Sequence, residues 1–96
     1  MQPFEETDWS ADVDVLDEVV DVAVHSLVVF NDDVNTFEHV IETLIDVCAH
    51  TPEQAEQCTL LIHYKGKCSV KNGSWDELVS MRNEICRRGI SAEVLN

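Results

Sequence analysis

Lysine and arginine are missing from the first two-thirds of this 96-residue chain. Residues 1–64 carry 15 acids and no permanent base, and the chain as a whole sets 19 acids against 6 bases, a formal net charge of −13. A surface of that sign repels phosphate backbones, so nucleic acid is not an expected partner. It repels anionic lipid for the same reason, and cationic groups on a partner are what it favours. Glycine (3) and proline (2) are scarce, and no Gly-rich phosphate loop is present. No apolar run approaches the roughly 20 residues of a membrane span. The opening MQPFEETDW lacks the basic and apolar regions of a secretory signal. Cys48, Cys58, Cys68 and Cys86 are widely spaced, with no CxxC. Without a signal they read as reduced thiols packed as small apolar groups, and a cytoplasmic location is expected. His25, His39, His50 and His63 supply no pair at zinc spacing with a matching partner pair, so neither metal nor cofactor is expected. GxSxG and HExxH are absent too. Cys58 and His63 fall about 140° apart on one predicted helix, too far round to act as a nucleophile and its base. The chain is expected not to be an enzyme.

What is there fits one domain with a leader. Residues 1–24 hold eight acids, with Phe4 and Trp9 near the front. They are expected to be a mostly flexible acidic extension, with a strand or helical turn near its end. DVDV and DVAV alternate as a strand does, while Val15, Leu16, Val19, Val20 and Ala23 share a helical face, so periodicity leaves both open. DVDVLDEVVD lacks the glycine and acidic spacing of an EF-hand.

Residues 25–96 form the predicted core. Ser26–Phe30 reads as a strand. Asn35 is an expected N-cap with Glu38 at N3, opening a helix from Thr36 to Ala49 through Val40, Ile41, Leu44, Ile45 and Cys48. Thr51, Pro52 and Gln54 start a second helix that carries Ala55, Cys58, Leu61 and Ile62 and ends at Gly66. Lys67–Lys71 reads as a strand and Asn72-Gly73 as the turn after it. Ser74 caps a third helix with Trp75, Leu78, Val79, Arg82, Ile85 and Cys86. Gly89 follows, and Ile90–Leu95 closes as a strand. The order β-α-α-β-α-β predicts an α+β domain, a three-stranded antiparallel sheet packed against three helices.

One constellation suggests chemistry. Asn31, Asp32 and Asp33 leave the first strand, where Asx residues readily bond their own backbone as a turn. They could equally present acceptors at the edge of an apolar pocket. In a β-α-α-β unit the helix carrying His63 can lie beside that strand exit. An amide oxygen, a carboxylate and a neutral imidazole nitrogen would then face one place, and a primary ammonium has three donors and no acceptor. The other reading is a non-catalytic acidic interaction domain of ribosomal-stalk type on a basic partner, since strand and helix order alone do not decide.

NDD (31–33), FEHVIETL (37–44) and LLIHYKGK (60–67) together resemble the ClpS adaptor family of bacterial Clp proteases. The likeness runs from Ser26 to Leu95, without gaps from Asn31 through Lys67, and RGISAEVL resembles the family's closing strand. The resemblance implies a monomeric adaptor that binds the free amine and bulky hydrophobic first residue of N-degron substrates. It implies delivery to an AAA+ Clp unfoldase, ClpA- or ClpC-like, with its protease. Carried over by position, Asn31, Asp32 and His63 would hold the amine. Asp33, Asn35, Phe37, Val40, Thr59, Ile62, Ile90 and Ala92 would line the side-chain pocket. Tyr64, Lys65, Lys67, Asp76, Glu77 and Arg82 would face the unfoldase. The family usually has Met where Phe37 stands, Thr at Asn35, a larger apolar residue at Thr59 and Leu on the closing strand. Its third helix is longer by a turn or more.

Overall fold

The computed structural model describes residues 24–96; apart from Val24, the expectations for the acidic leader lie outside the described residues. Six elements follow the predicted order: β1 (His25–Phe30), α1 (Phe37–Cys48), α2 (Pro52–Lys65), β2 (Lys67–Gly73), α3 (Trp75–Arg87) and β3 (Ala92–Leu95). The sheet is antiparallel with β1 in the middle, in the order β2-β1-β3. Leu27 and Val29, two apart on β1, point to the helical side, as strand alternation requires. There they join Leu44 and Cys48 of α1, Ala55 and Ile62 of α2, and Leu78 and Ile85 of α3 in one core. Cys48 belongs to that core, and Cys58, Cys68 and Cys86 pack against it. No helix among the described residues is long and apolar enough to cross a membrane.

Two local expectations are corrected. Thr36, not Asn35, caps α1: its backbone is extended (φ −76°, ψ 160°) and its hydroxyl accepts from the His39 N–H at 3.1 Å. That places His39 rather than Glu38 three residues into the helix, so the capping box does not form. The Asn35 side chain is oriented by other partners, its amide donating to Asp32 and to the Gly89 carbonyl. The second correction concerns Asn72 and Gly73, which do not turn. They extend β2 to pair with Ser26 and His25, and the Ser26 hydroxyl donates to Asn72 Oδ1 at 2.8 Å. An irregularity between Leu27 and Val28, opposite Val70, shifts the register so that this longer strand fits. At the other two starts the local chemistry holds. Thr51 and Gln54 form a reciprocal capping box with Pro52 in the first turn, and Ser74 Oγ accepts from the Glu77 N–H.

Polar bolts then lock the helix ends. The Arg88 carbonyl can only accept, so His39 Nε2 carries the hydrogen of their 2.9 Å bond, which joins α1 to the end of α3. The Arg88 guanidinium bonds Asp46 on α1 at 3.2 Å and Glu84 at 3.1 Å. His50, buried after α1, likewise donates Nε2–H to the Val70 carbonyl at 2.7 Å and fixes the α1–α2 corner on β2.

Hydrogen bonds from Arg87, then Arg88, hold the Glu84 carboxyl down to about 2. Since its folded value is depressed, the stabilisation is complete above the ordinary glutamate range and is lost as pH falls through about 2. Urea midpoints for wild type and Glu84→Gln should therefore differ at neutral pH, and the gap should close between about pH 4.5 and 2. A gap that stays constant down to the lowest pH would contradict this role.

Candidate functional site

The strand exit meets the end of α2 through one backbone bond: the Asn31 N–H donates to the Gly66 carbonyl at 2.9 Å. Gly66 takes a left-handed φ of 92° to end the helix, one turn after His63. The bond sets residues 30–33 beside the last turn of α2. On the far side, the Asn35 amide bridges Asp32 Oδ2 (2.8 Å) and the Gly89 carbonyl (2.9 Å). Gly89, with φ 89°, turns the chain from α3 into Ile90. Three segments distant in sequence thus surround one cavity of about 280 Å³.

Its lining includes Asn31, Asp32 and His63, together with Asp33, Asn35, Phe37, Val40, Thr59, Ile62 and Ile90. The structure therefore brings together all but one of the residues expected at the amine and side-chain positions. Ala92 is the exception. It pairs with Val29 and is buried in the core, its carbonyl accepting from Arg82 Nε on α3. Ile90, two residues earlier, reaches the cavity from the loop before β3. Phe30 and Thr36 also line it. Sequence reasoning passed over both, though each directly adjoins a candidate residue.

The lining divides by depth. Val40, Thr59, Ile62 and Ile90 are buried, while Asn31, Asp33, Thr36, Phe37 and His63 are exposed at the rim. The His63 ring stands edge-on to Phe37, with centroids 5.1 Å apart and planes at 70°. On its other side it meets Tyr64 at 4.9 Å and 79°. Such edge-to-face contacts fix ring orientation, and Phe37 here forms part of the rim.

Asp32 serves first as a turn residue. Its Oδ1 accepts from the Val34 and Asn35 N–H groups, both at 2.9 Å, and Oδ2 accepts from the Asn35 amide. These bonds, led by the Asn35 N–H, hold its carboxyl below the usual aspartate range against the opposing pull of burial. A carboxylate has about four lone-pair sites, so three intramolecular bonds leave room for another donor. The turn fixes in space an anion that stays ionised, which is the electrostatic requirement for holding a cation.

The residues expected to face an unfoldase lie on separate elements. Tyr64 and Lys65 end α2, Lys67 begins β2, Asp76 and Glu77 open α3, and Arg82 lies mid-helix; all six are exposed. Among the described residues, no three His, Cys, Asp or Glu side chains gather as metal ligands would. Burial pushes the Cys48 thiol up to about 11, and burial with the neighbouring Cys58 thiol pushes Cys68 up to about 12. Neither offers a thiolate at neutral pH.

Comparison with known proteins places the chain in a family. The model of the ATP-dependent Clp protease adaptor protein ClpS matches residues 14–93, most of the chain. The chain belongs to the ClpS family. The ClpS adapter of Nitratidesulfovibrio vulgaris is 36% identical over 67 residues, covering 66% of this chain and 67% of the relative. That of Thermosynechococcus vestitus is 29% identical over 68 residues, covering 70% and 72%. A solved structure, Agrobacterium tumefaciens ClpS2 bound to L-phenylalaninamide, shares the fold with a TM-score of 0.70 at 17% identity. It matches over 76% of this chain and 98% of its own. The ClpS arrangement of three helices on a three-stranded antiparallel sheet is the one found here.

Proposed function

We propose that this ClpS-family chain is a non-catalytic adaptor that captures the free α-amine and bulky hydrophobic first side chain of a protein substrate. It then passes that substrate to an AAA+ Clp unfoldase and its protease. The observation that carries the reading is the cavity's two-part chemistry. Asn31, Asp32 and His63 supply acceptors beside an apolar wall of Val40, Ile62 and Ile90. The ligand named for the Agrobacterium relative, L-phenylalaninamide, combines the two parts such a cavity would take, a primary amine and a large apolar side chain.

Magnitudes fit a carrier that must release its cargo. Charge-assisted hydrogen bonds contribute roughly 1.5–3 kcal/mol each. Burying one Leu- or Phe-sized side chain adds roughly 1.5–3 kcal/mol. Set against the entropy of association, so small a footprint corresponds to a dissociation constant on the order of micromolar. The exposed residues Tyr64, Lys65, Lys67, Asp76, Glu77 and Arg82 are the proposed contacts with the unfoldase.

Delivery is tested with a purified AAA+ Clp unfoldase, its peptidase and a reporter beginning with Phe. Adding this protein should accelerate degradation of the Phe reporter and leave a reporter beginning with Gly unchanged. Equal rates with and without the protein would reject the delivery role.

A further inference from the structure

Two polar side chains in the cavity lining have no hydrogen left to give. Thr59 is buried, and its hydroxyl donates to the Ala55 carbonyl at 2.7 Å. Toward the cavity it can offer lone pairs or a methyl group, but not a donor. Asn35, half-buried in the same lining, has both amide hydrogens engaged, one by Asp32 Oδ2 and one by the Gly89 carbonyl. Both partners are pure acceptors, so the amide nitrogen can only face them and Oδ1 remains the free atom. The other buried members of the wall, Val40, Ile62 and Ile90, have apolar side chains. Rim groups that still hold donors, such as Asn31 and Thr36, are exposed at the mouth.

We infer that this pocket favours a first side chain with a hydrogen-bond donor at its far end, tyrosine foremost and tryptophan with it, over phenylalanine or leucine. The inference rests on the reading of the cavity as a first-residue pocket, and adds the class of side chain it prefers. A phenol or indole buried against hydrocarbon needs an acceptor for its hydrogen. Here Thr59 Oγ1, on the buried part of the wall, is the acceptor. Phenylalanine and leucine fill the same wall and leave the Thr59 lone pairs unpaired by ligand.

Calorimetric titration of free-amine amides tests it. Tyrosinamide should bind about 3- to 10-fold tighter than phenylalaninamide, the span of one net hydrogen bond. The analogue 4-fluorophenylalaninamide, which has a polar tip and no donor, should bind no tighter than phenylalaninamide. In Thr59→Val, which keeps the shape and removes the oxygen, the tyrosine-to-phenylalanine ratio should fall toward one. Thr59→Ser, which keeps the hydroxyl, should retain the ratio and covers the case in which the valine variant does not fold. Equal binding of the tyrosine and phenylalanine amides, an equal gain from fluorine, or a ratio unchanged in Thr59→Val would each overturn the inference while leaving amine capture intact. Failure of every free-amine amide to bind would instead overturn the reading of the cavity itself.

Discussion

Asp32→Asn is expected to weaken binding of a free N-terminal amine by roughly 10- to 100-fold, the span of one charge-assisted hydrogen bond. The fold should survive the change, and the structure says why. An asparagine Oδ1 can still accept the Val34 and Asn35 N–H groups that close the turn. What disappears is the negative charge, together with the Oδ2 acceptor that holds one hydrogen of the Asn35 amide. Asp32→Ala is the harsher variant, since it removes both functions and mixes a loosened loop with a lost contact. Because the Asp32 carboxyl lies below its usual range, wild type keeps this charge down through mildly acidic pH. The site's anion is therefore lost by substitution rather than by ordinary acidification. Titration of both proteins with one peptide, alongside their thermal melts, separates binding from folding. Equal affinities would remove Asp32 from the amine site and leave it as a turn residue alone.

Leu78→Ala should be among the most damaging of the simple core changes, at about 2–5 kcal/mol. Leu78 is fully buried on α3 and belongs to the cluster that also contains Leu27, Val29 and Ile85. Truncation removes its buried surface and leaves a cavity that tight packing cannot fully close. A domain of this size holds only about 5–10 kcal/mol in all, so the loss consumes much of the margin. The consequence reaches function because Val40, Ile62 and Ile90 belong both to this core and to the cavity wall. Urea unfolding should show a midpoint well below wild type. A change under 1 kcal/mol would mean that the site collapses around the smaller side chain more completely than the packing here suggests.

Most of the architecture was legible because the strong signals were local. Thr51-Pro52 with Gln54, Ser74, and the left-handed Gly66 and Gly89 mark helix ends that the structure keeps. The failures came where distant partners competed with local rules. Asn35 and Thr36 are both good caps, and what separates them is the Gly89 carbonyl, 54 residues further on. Asn72-Gly73 carries a strong turn signal, yet pairing with Ser26 and His25 of β1 overrides it. Ile90 and Ala92 share a parity along the closing segment, so alternation cannot rank them; only position relative to the cavity does. The candidate site was harder still. Asn31-Asp32-Asp33 forms a turn with the same atoms that the proposed amine site requires, and the three bonds into Asp32 show that the turn is real. Local reasoning therefore had no way to choose between the two. The proposal of an amine site draws on His63 as well, which comes from the helix end that the Asn31–Gly66 bond sets alongside.

The central claim is that the cavity holds a charged α-amine together with the side chain beside it. Acetylation of a peptide amine removes the charge and two of three donors while leaving every side chain in place. Fluorescence titration of one peptide beginning with Tyr, in free and acetylated forms, therefore addresses the claim most directly. The free peptide should bind saturably with a dissociation constant on the order of micromolar, and the acetylated peptide should show no saturable binding over the same range. Equal binding of the two forms would contradict the account.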